Sequence, residues 1–324
     1  MVLGIPAGKD WELRQLDIDI AYLEANAKEK LYIVLPEDCR NSCNQVGCLQ
    51  NAMYGLVHAG LLWPKTFIAE LAARGFEQCQ ADPCVFRRVL CGKVVVIIVV
   101  YIDNLLVASE TKRDEEQAIN DIRSCFPIKD LGDAGFYLGY HITRDRDAGT
   151  LKFDKHHYVR TMASKFGVEK TSTMPAAAGA KPLSKDDALQ TETETEEMRV
   201  TPYREAVGGL MWAATMTRLD VAYAAHQLEN VNDNPEPAHW RAAKRALQYL
   251  WRKQDVGITY GGTPGSYTKL SEWVDTDFAT CPDSRHLASG GIVTLRGVSR
   301  SVGSRDCRRW PRHLNQSLWR WQKL

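Results

Sequence analysis

A chain of 324 residues, 44% hydrophobic and 25% charged, has room for two or three domains and the composition of an ordinary globular protein, which excludes disorder throughout. Its formal net charge of +1 neither demands nor excludes a nucleic-acid partner, because a local basic groove can coexist with acidic surface elsewhere. Nine cysteines and an N-terminus, "MVLGIPAGKDWELRQ", without a basic-then-apolar leader set the expectation of an unsecreted, intracellular protein with reduced thiols.

In chain order, "LRQLDIDIAYL" alternates apolar and polar residues and "KLYIVLP" closes on a proline, which predicts strand, turn and strand from Leu13 to Leu35. Cys39, Cys43 and Cys48 are spaced C-x3-C-x4-C, yet no CxxC pair or following histidine pair completes a zinc set, so they read as ordinary thiols. Trp63, Phe67 and Leu71 recur at helical spacing ahead of Gly75, predicting an amphipathic helix kinked or begun near Pro64.

Phe86–Leu90 and Val94–Ala108 read as strands, with Cys91-Gly92 as one turn and a second tight turn at 101–104. The apolar run 94–102 is too short to span a bilayer and is broken by Asp103 and Asn104, so no membrane segment is expected. Residues 112–125 are predicted helical, and "FYLGYHITRD" and "GTLKFDKHHYVRTMASKF" supply two strands and another helix. His156 and His157 adjoin in sequence and point apart, which favours structural or exposed roles.

A stretch poor in periodicity, 171–200, is the expected linker. Helical patterns follow over 201–256, where Trp212, Trp240 and Trp251 take packing positions, and strand patterning returns from Gly257. The tail 300–324 is dense in Arg and Trp without either period, as a shifted reading frame near Arg300 would leave it; its charge and rings would also suit nucleic acid.

An aspartate inside the most apolar run calls for compensation, since an ionised carboxylate is costly there unless a cation or hydrogen bonds meet it. Asp17 and Asp19 on the first strand and Asp103 at the predicted hairpin tip are carboxylates of the type that two-metal phosphoryl transfer needs, where ions about 4 Å apart are bridged by anionic oxygens. Lys9 and Arg14 read as solvated charges, and Asp19 as a solvated neighbour.

The succession "QLDIDIAYLEA", "AMYGLVHAGLLW", "ADPCVFRR", "VVYIDNLLVAS", "IKDLGDAGFYLGYHI", "YREAVGGLMWAATMTRLDVAYAA", "HWRAAKRALQYL" and "WVDTDFA" resembles the reverse transcriptase and ribonuclease H region of copia-type LTR retrotransposon polyproteins, from Gln15 to Gly297. The resemblance implies an α+β fold: a palm of antiparallel sheet and packed helices, a helical connection, and a partial ribonuclease H-like α/β domain. The expected bounds are 1–170 for a palm with truncated fingers, 171–200 for the linker, 201–256 for the connection, 257–299 for the partial ribonuclease H-like domain and 300–324 for the aberrant tail.

It further implies that Asp17 and Asp103 are catalytic metal ligands for Mg2+ or Mn2+, that Tyr22 and Tyr101 contact the incoming nucleotide, and that Asp275, with Asp277 close by, is a metal ligand of the nuclease segment. The implied partners are an RNA template, a DNA primer, deoxynucleoside triphosphates and other parts of the polyprotein, in the cytoplasm or nucleus.

Three departures qualify the implied activity. Asn104 stands where the family has its second aspartate, removing an anion beside the metals. Val57, His58 and Gly60 replace a common Lys, Gln and Pro, and the family's upstream fingers are expected to be missing. A catalytically inactive remnant, or a nucleic-acid-binding protein using the old template groove, is the alternative reading.

Overall fold

The computed structural model describes residues 4–27, 29–39, 45–177, 183–184, 196, 198–261, 270–277, 288–295 and 298–304. Contacts divide the chain into two compact units with a boundary between Tyr137 and Leu138. Each is taken by itself.

Lys9–Tyr137 is built on a six-stranded antiparallel sheet. Its strands are β1 (Glu12–Ile18), β4 (Glu77–Gln78), β5 (Val85–Leu90), β6 (Lys93–Tyr101), β7 (Asn104–Ser109) and β8 (Ile128–Asp133), in the order β4-β5-β6-β7-β1-β8. Between β1 and β4, β2 (Tyr32–Val34) and β3 (Val46–Cys48) form a separate pair. Cys39 and Cys48 are exposed free thiols, and Cys43 lies outside the described residues.

The chain opens with a short helix, α1 (Gly4–Lys9), and two later helices cover one face of the sheet. In α2 (Ala59–Ala73) the i, i+4, i+8 set Trp63, Phe67 and Leu71 is buried, joining Leu16, Ile18, Val96, Ile98, Leu105 and Val107 in one core. Pro64 sits inside that helix rather than at its start, and having no N–H it cannot donate to the carbonyl of Gly60. In α3 (Lys112–Arg123), Ile119 and Ile122 face the same core. Thr111 caps α3 by accepting from the Asp114 amide at 3.2 Å, with Asp114 and Glu115 in the first turn and Arg123 in the last, as the helix dipole favours.

The sequence pattern shows no strand at 128–133, yet β8 pairs with β1 there. It is an edge strand, mostly exposed, interrupted by Gly132 and held by side chains rather than by burial. Arg14 of β1 grips Asp130 of β8 through two hydrogen bonds of 2.8 and 2.9 Å. Arg14 is therefore not the solvated charge expected from sequence.

After the short β9 (Phe136–Tyr137), the unit from Leu138 onward carries β10 (Tyr140–Asp145), β11 (Thr150–Asp154) and β12 (Ile258–Gly261) as antiparallel neighbours in the order β12-β11-β10. Its helices are α4 (His156–Lys165), α5 (Tyr203–Met216), α6 (Ala222–Asn230) and α7 (Pro237–Arg252). They bury Val159, Tyr203, Leu210, Leu228, Leu247 and Leu250 together. Trp240 packs against this core, whereas Trp212 is 48% exposed and corrects the packing role expected for it.

Near the C-terminus, β13 (Leu270–Asp277), β14 (Ala288–Leu295) and β15 (Val298–Ser304) form an antiparallel sheet. The reading-frame expectation falls almost wholly on 305–324, outside the described residues, as does most of the expected linker. Among the described residues no helix is long and apolar enough to cross a membrane.

Candidate active site at the β1 and β6–β7 turn

Alternation along β1 sends Leu16 and Ile18 into the helix-covered core and Asp17 to the opposite face. Directly across the strand pair, the Cα partner of Asp17 is Asn104. Tyr101 and Asn104 close β6 onto β7 around a two-residue turn, Ile102-Asp103, so Asp103 occupies the hairpin tip as expected. The turn is stitched to β1 by the Ile18 amide, which donates to the Asp103 carbonyl at 2.9 Å.

A two-residue hairpin of this kind needs left-handed backbone, and Ile102 supplies it at φ 59°. For a β-branched residue that conformation is strained, so neighbours must hold it. Trp63 does so: its indole N–H donates to the Ile102 carbonyl at 2.8 Å while its ring packs edge-on to Phe126 at 5.1 Å. Tyr137, buried and with its phenol pushed up by that burial, donates to the Asn104 carbonyl at 3.3 Å on the other side of the turn. Trp63→Phe keeps most of the packing and deletes the turn's donor. The expected cost is about 1–2 kcal/mol, read as a lower urea midpoint; an unchanged midpoint would remove Trp63 from this role.

The electrostatics centre on Asp17. Burial, then the negative charges of Asp103 and Asp19, hold its carboxyl above the ordinary value, while Lys129 opposes them. Asp19 itself lies past the end of β1 and is exposed, so it acts on Asp17 through its field. Asp103 accepts from the Asn104 side-chain amide at 2.8 Å, which commits one carboxylate oxygen to a neutral donor.

Tyr22, in the 3-10 turn Ala21–Glu24, meets the Tyr54 ring edge-on at 4.7 Å. The Tyr54 hydroxyl is raised by burial and then by Asp103, Tyr22 and Asp17, which places that ring pair within the field of the carboxylates. Tyr101 ends β6 and is 56% exposed. Tyr54, Trp63 and Lys129 are parts of this neighbourhood to which the sequence reading gave no site role; the "MYGL" stretch carrying Tyr54 was the available signal. Asp275 lies in the other unit, on β13 opposite Gly290.

A hard divalent cation fits this donor set. Asp17 near the end of β1 and Asp103 in the turn stitched to that end both offer oxygen, and Asp17 is disfavoured as an anion by burial and then by the charge of Asp103.

Residues 1–178 match the family model described as reverse transcriptase (RNA-dependent DNA polymerase). The chain is 29% identical over 299 residues to the retrovirus-related Pol polyprotein from transposon TNT 1-94 of Nicotiana tabacum, covering 91% of this chain and 22% of that protein. It is 27% identical over 297 residues to the Pol polyprotein from transposon RE2 of Arabidopsis thaliana, covering 91% and 20%. A Saccharomyces cerevisiae transposon Ty5-1 protein is 28% identical over 285 residues, 86% of this chain and 88% of that one. The chain thus spans about a fifth of the two plant polyproteins it matches. With the family model covering more than half of the chain, it belongs to the reverse transcriptase (RNA-dependent DNA polymerase) family, in its copia-type retrotransposon branch.

Proposed function

We propose that this chain is an RNA-directed DNA polymerase palm that extends a DNA primer on an RNA template, with Asp17 and Asp103 as the ligands of Mg2+ or Mn2+. The observation that carries the reading is the juxtaposition of Asp17 with the Ile102-Asp103 turn, where burial and then the Asp103 charge raise the Asp17 carboxyl. When bound, the cations would activate the primer 3′-hydroxyl and neutralise the departing pyrophosphate. The protein's own share is positional: β1 and the clamped turn hold the two carboxylates, and Tyr22 and Tyr101 take the side of the incoming nucleotide. Asp275 would serve as a metal ligand of a partial ribonuclease H-like segment.

A second reading, a remnant that binds nucleic acid without chemistry, is favoured by one observation. The Asn104 amide brings a donor where an anion would help, and it occupies an Asp103 oxygen that a cation would use. The activity is accordingly proposed to be weakened at this position.

Primer extension on an RNA template with Mg2+ or Mn2+ decides between the readings. The chain is expected to show slow, metal-dependent extension, and Asn104→Asp to raise the rate about tenfold or more, corresponding to at least about 1.4 kcal/mol of transition-state stabilisation. If neither folded protein extends a primer, the polymerase reading fails and the binding reading takes its place.

A further inference from the structure

In the unit beginning at Leu138, two imidazoles converge on one carboxylate. His141 on β10 is the direct cross-strand partner of Asp154 on β11, and His156 opens α4 two residues after Asp154. Asp154 is 3% exposed. Its Oδ1 lies 2.6 Å from His156 Nδ1, its Oδ2 lies 3.4 Å from His141 Nδ1, and one ligand atom from each of the three residues falls within 4.8 Å of the others. The imidazole rings stand 4.9 Å apart, edge to face.

The His157 ring lies 4.1 Å from the His156 ring, so the two histidines do not point apart as expected from sequence. The His156 amide donates to Asp154 Oδ1 at 3.2 Å, Lys152 Nζ lies 3.5 Å from Oδ2, and Thr143 Oγ1 lies 3.4 Å from His141 Nδ1. Burial alone would raise Asp154, but the hydrogen bonds from His156 and His141 and the charge of Lys152 outweigh it and keep the carboxyl ionised below its ordinary value.

We propose that His141, Asp154 and His156 form a binding site for a divalent transition metal, with Zn2+ the ion whose chemistry fits. Two neutral imidazoles and one carboxylate are three protein ligands of the kind zinc takes, and His141 is 42% exposed, so water can reach the site to serve as a fourth ligand. Tetrahedral ligands about 2.0–2.1 Å from zinc lie about 3.3 Å from one another; His141 Nδ1 lies 3.4 Å from Asp154 Oδ2, near that spacing, and the three ligand atoms, all within 4.8 Å of one another, draw in around an ion. The 2.6 Å hydrogen bond between His156 Nδ1 and the other oxygen, Oδ1, gives way as the ion takes the nitrogen lone pair. The three ligands come from two paired strands and the helix start that follows, so the sheet register sets their spacing before any ion arrives. Mg2+ is a poor match, since it prefers an octahedron of oxygens. The proposal stands apart from the polymerase reading.

The bland alternative is a hydrogen-bonded triad whose carboxylate merely ties down the start of α4. The two are separated by counting metal. The full-length chain, stripped with a chelator and dialysed against Zn2+, is expected to retain one ion per molecule through gel filtration. Co2+ in its place is expected to give the visible absorption of a four-coordinate site. His141→Ala and His156→Ala should each weaken Zn2+ binding about a hundredfold or more. Asp17→Asn combined with Asp103→Asn should leave the zinc content unchanged, which excludes the palm as the source, and excess Mg2+ should not displace the ion. His141 is a partly exposed strand residue, so its alanine variant is expected to fold, which circular dichroism checks. No retained zinc, or zinc content and affinity indifferent to His141→Ala, would overturn the site; binding to the cysteines would appear as that second result.

Discussion

Asp103→Asn is expected to abolish primer extension, with a loss of about a thousandfold or more measured both in the chain as it stands and in the Asn104→Asp background. The second background matters because Asn104 already lowers the starting rate in the proposed reading. Removing one anionic ligand withdraws several kcal/mol of charge stabilisation from the transferring phosphoryl group, and each 1.36 kcal/mol is about tenfold in rate. Folding should not fall with activity. Asp103 sits at a half-buried turn, its backbone carbonyl accepts from Ile18 whatever the side chain, and relief of the negative field on Asp17 favours the folded state. The unfolding midpoint at neutral pH is therefore expected to hold or rise slightly while extension disappears. Retained extension in Asp103→Asn would move the chemistry away from this turn.

The second large effect concerns stability. Arg218, after α5, is 1% exposed, and its guanidinium donates to both carboxylate oxygens of Asp220 at 3.0 and 2.7 Å and to the Lys253 carbonyl at 2.8 Å. Arg218→Ala would leave a void, an unpaired carbonyl and a carboxylate without its counter-charge. The expected loss is about 3–5 kcal/mol, read from the unfolding transition of the helical unit in urea. Arg218→Lys should recover little of it, because an ammonium cannot span two acceptors in a fixed fork.

A pH dependence accompanies this pair. Burial pushes Asp220 up, but the Arg218 hydrogen bond and charge outweigh it and hold the carboxyl below its ordinary value. Stability from the pair is therefore fully present above the ordinary carboxylate pKa and is lost as pH falls toward the lower folded one. In Arg218→Ala that acid-dependent loss should shrink. A loss under about 1 kcal/mol at neutral pH would mean that the helices, not this ion pair, set the stability of the unit.

Much of this protein was legible in its sequence, because local patterns dictated it. The β-branched density of 94–100 specified a central strand, the i, i+4, i+8 spacing of Trp63, Phe67 and Leu71 specified the buried stripe of α2, and an aspartate interrupting an apolar run marked the hairpin tip. The order of motifs carried the family.

What the sequence could not express was anything that depends on partners brought together by folding. β8 has no strand signature of its own and exists because β1 offers it an edge and Arg14 holds Asp130. Trp63 reads as one more core aromatic, and only the approach of α2 to the β6–β7 turn makes its N–H the clamp on a strained Ile102. His156 and His157 read as histidines pointing apart, yet their rings lie 4.1 Å from each other, and the groups proposed to give His156 its chemistry, Asp154 and His141, meet it through the pairing of β10 with β11. Periodicity reports which face of an element is buried; strand register and the approach of a helix decide which polar groups meet, and that is where both candidate sites arise.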